Sequence, residues 1–182
     1  LAGEDTAVQS IAVEANKDIL SPLPVGTALL DGNYEGANKE AVHVLVEKAE
    51  GYAINVPAKA KEVVGIRIDA NARVANRFQF IVGEGAELEV QFYVTGSGDA
   101  LTNVSYLNEY DVKEAGKVVV KKVNLLPEHV QHIEHRYTKL EEKADVEYIN
   151  IEIGGSENIL NYYHDLVGQE SRMVHDIAYL GN

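Results

Sequence analysis

The residues in this 182-residue sequence best suited to chemistry are histidines beside carboxylates. His164-Asp165 and His175-Asp176 flank the Gly168–Ser171 turn symmetrically. An imidazole with a carboxylate partner suits zinc or iron, since the carboxylate fixes the ring's tautomer and raises its basicity. His164, Asp165, His175 and Asp176 are therefore the metal-ligand candidates. In an antiparallel hairpin the two histidines would face each other across the strands. In a parallel coil they are expected on separate sides, and the expectation is then that the chain holds no metal. A second group, His129, His132 and His135, is spaced i, i+3, i+6. On a helix these would share a face; on a strand His132 and His135 point to opposite sides. They are expected to be exposed polar side chains.

Other chemistries lack their residues. The sequence has no cysteine, which removes disulfides, thiolate metal ligands and thiol nucleophiles together. No Gly-x-x-x-x-Gly-Lys-Ser/Thr loop is present to cradle phosphates, and no Gly-x-Ser-x-Gly elbow to expose a serine. No catalytic and no cofactor-binding residue is assigned, and the chain is expected not to be an enzyme. A formal net charge of −13 repels a phosphate backbone, so nucleic acid is not an expected partner. Lys113, Lys117, Lys121 and Lys122, the densest basic group, read as a solvated face. No apolar run reaches the ~18–20 residues of a membrane-spanning helix. The first residues carry neither the basic nor the apolar stretch of a secretion signal, and the expected location is the cytoplasm.

The elements that would position these residues are strands. Residues 1–40 read as a lead-in or cap. Within it Ala7, Val8, Ile11, Ala12 and Ala15 give an apolar stripe at helical spacing, Ser21 to Gly26 breaks it, and Asp31-Gly32-Asn33 is a turn. Residues 41–182 alternate in the manner of strands: Val42 to Val46, Val63 to Ile68, Phe78 to Val82, Leu88 to Val94, Val118 to Val123, Val146 to Ile153, Ile159 to Tyr163 and Met173 to Leu180. Pro127 to His135 is the one stretch that admits a helical turn. Gly83 to Leu88 is a tight turn feeding a strand, and its pattern returns at Lys113 to Val118, Glu141 to Val146 and Gly168 to Met173. The steps from Leu88 to Val118, Val146 and Met173 are 30, 28 and 27 residues. A near-constant step of that size points to a solenoid, in which each coil buries its apolar side only by stacking on its neighbours. An antiparallel sandwich also spaces its turns evenly, and repetition alone leaves the two open.

Several segments resemble the SufB/SufD family of iron–sulfur cluster assembly scaffolds. Phe80 to Leu88 is similar to the family's aliphatic strand followed by Gly-Glu-Gly-Ala and a second strand. Ile54 to Ala60 is similar to its aliphatic-Pro-Lys segment, Glu134 to Ala144 to its Arg-and-Leu corner, and Arg172 to Asp176 to its coils with a central histidine. The resemblance runs from about Asn55 onward. It implies an all-β fold, a right-handed parallel β-helix or solenoid behind a short helical or irregular lead-in. It also implies partners: a SufC-like ABC-type ATPase and a second SufB/SufD-type subunit, met as a dimer through the solenoid. The family's core continues for several more coils beyond the point reached at Leu180, so the solenoid over 41–182 is expected to be incomplete at its C-terminal end. No functional residue carries over, and an iron–sulfur cluster is expected only in a fuller complex. The alternatives are a carbohydrate-active β-solenoid enzyme, which needs clustered carboxylates in a groove, and a small metal-binding β-sandwich.

Overall fold

The computed structural model describes residues 11–30, 34, 38–71, 73–97 and 102–180. Two short strands come first, β1 (Ile11–Glu14) and β2 (Leu20–Leu23), followed by one helix, α1 (Lys39–Lys48). Ten strands then follow in five pairs: β3 (Gly51–Val56) and β4 (Lys61–Asp69); β5 (Val74–Val82) and β6 (Glu87–Thr95); β7 (Thr102–Val112) and β8 (Lys117–Asn124); β9 (Val130–Leu140) and β10 (Asp145–Glu152); β11 (Glu157–Leu166) and β12 (Arg172–Tyr179). Each pair is one coil. Its two members lie in different sheets, ordered β1-β4-β6-β8-β10-β12 and β11-β9-β7-β5-β3-β2. Coil stacks on coil in parallel throughout, so the chain is a parallel β-solenoid, and the antiparallel sandwich is excluded.

The repeat read from the sequence is the stacking register. Leu88 pairs with Val118, Val118 with Val146, and Val146 with Met173. The same corner turn closes every coil. The N–H of Ala60, Ala86, Gly116, Ala144 and Ser171 donates to the carbonyl three residues back. The residue before each of these, Lys59, Gly85, Ala115, Lys143 and Glu170, has φ between 55° and 63°. Only one of the five is glycine. Of the other four, Lys59, Ala115 and Lys143 are held in the left-handed region by a bond to the next corner, as Gly85 is: Lys59 N–H to Glu84 O, Gly85 to Glu114, Ala115 to Glu142 and Lys143 to Gln169. Gly168 is required for a different reason: a Cβ there would meet the Glu142 backbone nitrogen at 2.0 Å.

Two regions depart from the sequence expectation. Val42 to Val46 is helical, not extended. Val42, Leu45, Val46 and Ala49 recur at i, i+3, i+4, i+7 and pack with Tyr34 on Leu107 and Tyr137, while Val44 faces solvent. Glu40 in the first turn and Lys48 in the last suit the helix dipole. The expected lead-in helix is a strand from Ile11 to Glu14, paired antiparallel with β4, and β2 pairs antiparallel with β3. Ala7, Val8 and the turn at 31–33 lie outside the described residues.

Candidate functional site

Alternation along each strand sends every second side chain into the lumen between the sheets. Because the coils stack in register, lumen residues form columns that can be followed from coil to coil. One column runs Ile66, Phe92, Lys122, Asn150; the next runs Ile68, Val94, Asn124, Glu152. Across the lumen, one runs Tyr52, Phe78, Asn108, Arg136, Tyr162 and another Ile54, Phe80, Tyr110, Thr138, His164. Each begins apolar and turns polar at the third or fourth coil. Columns at the corner stay aliphatic throughout, as in Val56, Val82, Val112, Leu140, Leu166. The polar stretch of lumen is the candidate site.

Its centre is a set of four charges shut away from solvent. Lys122, Glu134, Arg136 and Glu152 are all at most 1% exposed. Lys122 Nζ lies between the Glu134 and Glu152 carboxylates and pairs with both. Arg136 donates to Glu134 Oε1 through Nη2 at 2.7 Å and Nε at 3.0 Å. Asn108 Nδ2 donates to the same oxygen at 2.9 Å, and the Tyr162 hydroxyl to Glu134 Oε2 at 3.1 Å. The Arg136 guanidinium is held between two rings, 4.2 Å from the Tyr148 centroid and 4.4 Å from that of Tyr162. Removing such charges from water costs several kcal/mol each, offset only when the geometry satisfies them. Burial by itself would raise the Glu134 carboxyl, but Arg136 and Lys122 hold it well below the usual carboxylate range. Burial raises Tyr162 strongly, with Glu134 adding to the effect, so that phenol stays protonated and donating.

His132 belongs to the same network. Its Nε2 meets the Tyr106 hydroxyl at 2.9 Å, and its Nδ1 meets Asn158 Oδ1 at 2.9 Å. An amide oxygen can only accept, so the shorter of the Nδ1 contacts places a proton on Nδ1, while Asn124 Nδ2 lies 3.2 Å from the same nitrogen. Burial, then the Lys122 charge, pushes its pKa down to about 3. Asn124 completes the link, donating to Glu152 Oε2 at 3.1 Å and to Asn158 Oδ1 at 2.8 Å.

The sequence candidates fall differently from expectation. His164 on β11 and His175 on β12 do lie on opposite sheets of the coil, as a parallel coil requires, but this does not keep them apart. Both are lumen positions of one coil, and their ring centroids are 6.1 Å apart. Opposite strands of a flattened coil face each other across the lumen much as hairpin partners do across a turn. Asp165 and Asp176, one residue on, point outward and are exposed. The three spaced histidines are not one exposed group: His132 is in the lumen, His135 is buried on the outer face of its sheet, and His129 lies in the turn before β9. Among the described residues no three of His, Cys, Asp and Glu come together as a metal cluster.

Lys122, Glu134, Arg136 and Glu152 were missed by residue type, since charge was taken to mean surface. Period two carried the missing signal. Lys122 shares its parity with Val118 and Val120, and Glu134 and Arg136 share theirs with Val130 and Leu140.

A second buried polar group ties down the N-terminal segment on the outer face of the β5–β7–β9 sheet. Arg77 donates to the carbonyls of Ala49, Thr27 and Pro24 at 3.1, 2.7 and 3.1 Å. Glu109 accepts from the Tyr34 hydroxyl, from Gln79 Nε2 at 2.9 Å and from the Leu29 N–H at 3.2 Å. These contacts serve attachment, since backbone of the covering segment supplies most of the partners.

Fold and lumen together define a class: parallel β-solenoids that carry a desolvated, charge-paired interior in their later coils. Within it, the SUF system FeS cluster assembly, SufBD core domain, matches residues 66–182. The match spans more than half of the chain, which belongs to that family and so to SUF iron–sulfur cluster assembly. No curated protein and no solved structure is detectably similar to it. No helix among the described residues is long and apolar enough to cross a membrane.

Proposed function

We propose that the chain is a non-catalytic scaffold subunit of the SUF system that works in the cytoplasm with a SufC-like ABC-type ATPase and pairs with a second SufB/SufD-type solenoid. The observation that carries this reading is the SufBD core match over 66–182 on a parallel solenoid. Two features support the division of labour. The sequence has no phosphate-cradling loop, so nucleotide turnover falls to a partner. It has no cysteine, so a nascent cluster, as the system's cargo, takes its thiolates from another subunit. Pairing through the solenoid is what the resemblance to the family implies, and Leu166, Val167, Ile177 and Tyr179 on the coil of β11 and β12 offer exposed apolar side chains that a partner solenoid can cover.

The experiment is co-expression with a SufC-type ATPase and a SufB/SufD-type partner, followed by affinity capture on this chain. The reading expects a complex with both, and a charge at Ile177 (Ile177→Glu) that weakens solenoid pairing while sparing the fold. Recovery of the chain alone, with both partners folded and present, overturns it.

A further inference from the structure

The lumen network pairs most of its polar atoms; single atoms of Asn108, Tyr110, Arg136 and Asn150 in the third and fourth coils lack a partner, but only in the last coil do several such atoms fall on two neighbouring rings. Nδ1 and Nε2 of His164 and Nε2 of His175 are buried and bond to nothing in the protein. A buried polar atom without a partner carries an uncompensated desolvation cost, so three on adjoining rings call for an explanation. These are not scattered side chains. The rings stand 6.1 Å apart at 78° to each other and pack among Tyr148 and Tyr162.

We propose that His164 and His175 are the two protein ligands of a mononuclear site for a late first-row divalent ion of the zinc class. Imidazole nitrogen binds such ions at ~2.0–2.1 Å, and with each ring centroid about 1 Å behind its nitrogen, two rings on one ion sit roughly 5–6 Å apart. The observed separation lies at the upper edge of that range, so small ring rotations close it. Neutral imidazole is the ligating form, and both rings are kept neutral: burial first, then the Arg136 charge, pushes each pKa down to about 4. The nearby cations do not bar a metal, because Lys122 and Arg136 are matched by Glu134 and Glu152 in the same network. Asp165 and Asp176 take no part, since alternation turns them outward. The nitrogens themselves are buried, but each residue as a whole is only partly so, and water would complete the coordination from that partly exposed side. This site stands on the chain's own imidazoles, independently of any role in cluster assembly.

Equilibrium dialysis of the chelator-treated chain against Zn2+ alone, with long-range 1H–15N NMR of the imidazoles, tests it. One ion per chain is expected, with the His164 and His175 resonances displaced and those of His132 and His135 unmoved. His164→Gln and His175→Gln should each abolish stoichiometric binding while Asp165→Asn, Asp176→Asn and His129→Gln keep it. Thermal melting of the apo variants separates loss of ligand from loss of fold. No stoichiometric binding, or binding that survives in well-folded His164→Gln and His175→Gln, overturns the proposal. No ATPase or partner solenoid enters the assay, so its outcome is separate from that of the scaffold reading.

Discussion

The second coil and the fourth share a backbone, a register and a corner, yet their interiors differ in kind. Phe78, Phe80 and Phe92 fill the lumen of one. Two coils on, the same columns hold Arg136, Thr138 and Asn150. Ring edges and faces satisfy the first at no electrostatic cost. The second is tolerated only because nearly every charge meets an opposite charge or a donor. Stacking therefore specifies the solenoid without dictating what fills it, and the later coils carry an interior that packing alone would not select.

Removing one member of each interior should expose the difference most strongly. Glu134→Ala strands Lys122 and Arg136 and is expected to cost about 3–5 kcal/mol. Phe92→Ala, which leaves a cavity but no orphaned charge, is expected to cost about the same. Glu134→Gln, which keeps the volume but not the charge, should retain most of the first loss, whereas Phe92→Leu should recover most of the second. Next in size, Lys122→Met and Glu152→Leu should each destabilise strongly alone, yet the double variant should lose less than either, since it removes one charge of each sign. Equal additive losses in a double-mutant cycle would show that the charges are not acting as a pair.

Acid should reach the polar coils first. His132 is held down to about 3, and His164 and His175 to about 4, while unfolded histidines titrate near 6.5. Between about pH 6.5 and 4 the unfolded chain binds more protons, so stability falls as pH falls through that window and is level above it. A fully buried histidine such as His132 contributes up to ~1.4 kcal/mol per pH unit. Hydrogen exchange at pH 5 should open β9 to β12 before β3 to β6; uniform opening would erase the distinction between the two halves. The smallest effect is expected at the corners they share. Ala115→Gly relieves a left-handed residue but loosens the unfolded chain, and chemical denaturation should place it within about 1 kcal/mol of the parent.

The solenoid was legible because its signal is local and repeated: the turn pattern and its 30-, 28- and 27-residue steps reappear as the pairing of Leu88, Val118, Val146 and Met173. The segment around α1 was not, because three valines and a leucine within five residues suit a strand as well as a helix. Only burial against Leu107 and Tyr137 decides it. The lumen charges escaped because residue type outweighed parity at Lys122. The meeting of His164 and His175 escaped because it depends on how flat the coil is, which no spacing encodes.

The most direct test of the scaffold account is anaerobic cluster reconstitution with iron and sulfide, on the isolated chain and on its complex with the ATPase and partner solenoid, read by absorbance with iron and sulfide analysis. The account predicts no cluster on the chain alone, for want of thiolate ligands, and a stable cluster on the complex. A stable, stoichiometric cluster on the isolated chain would contradict it.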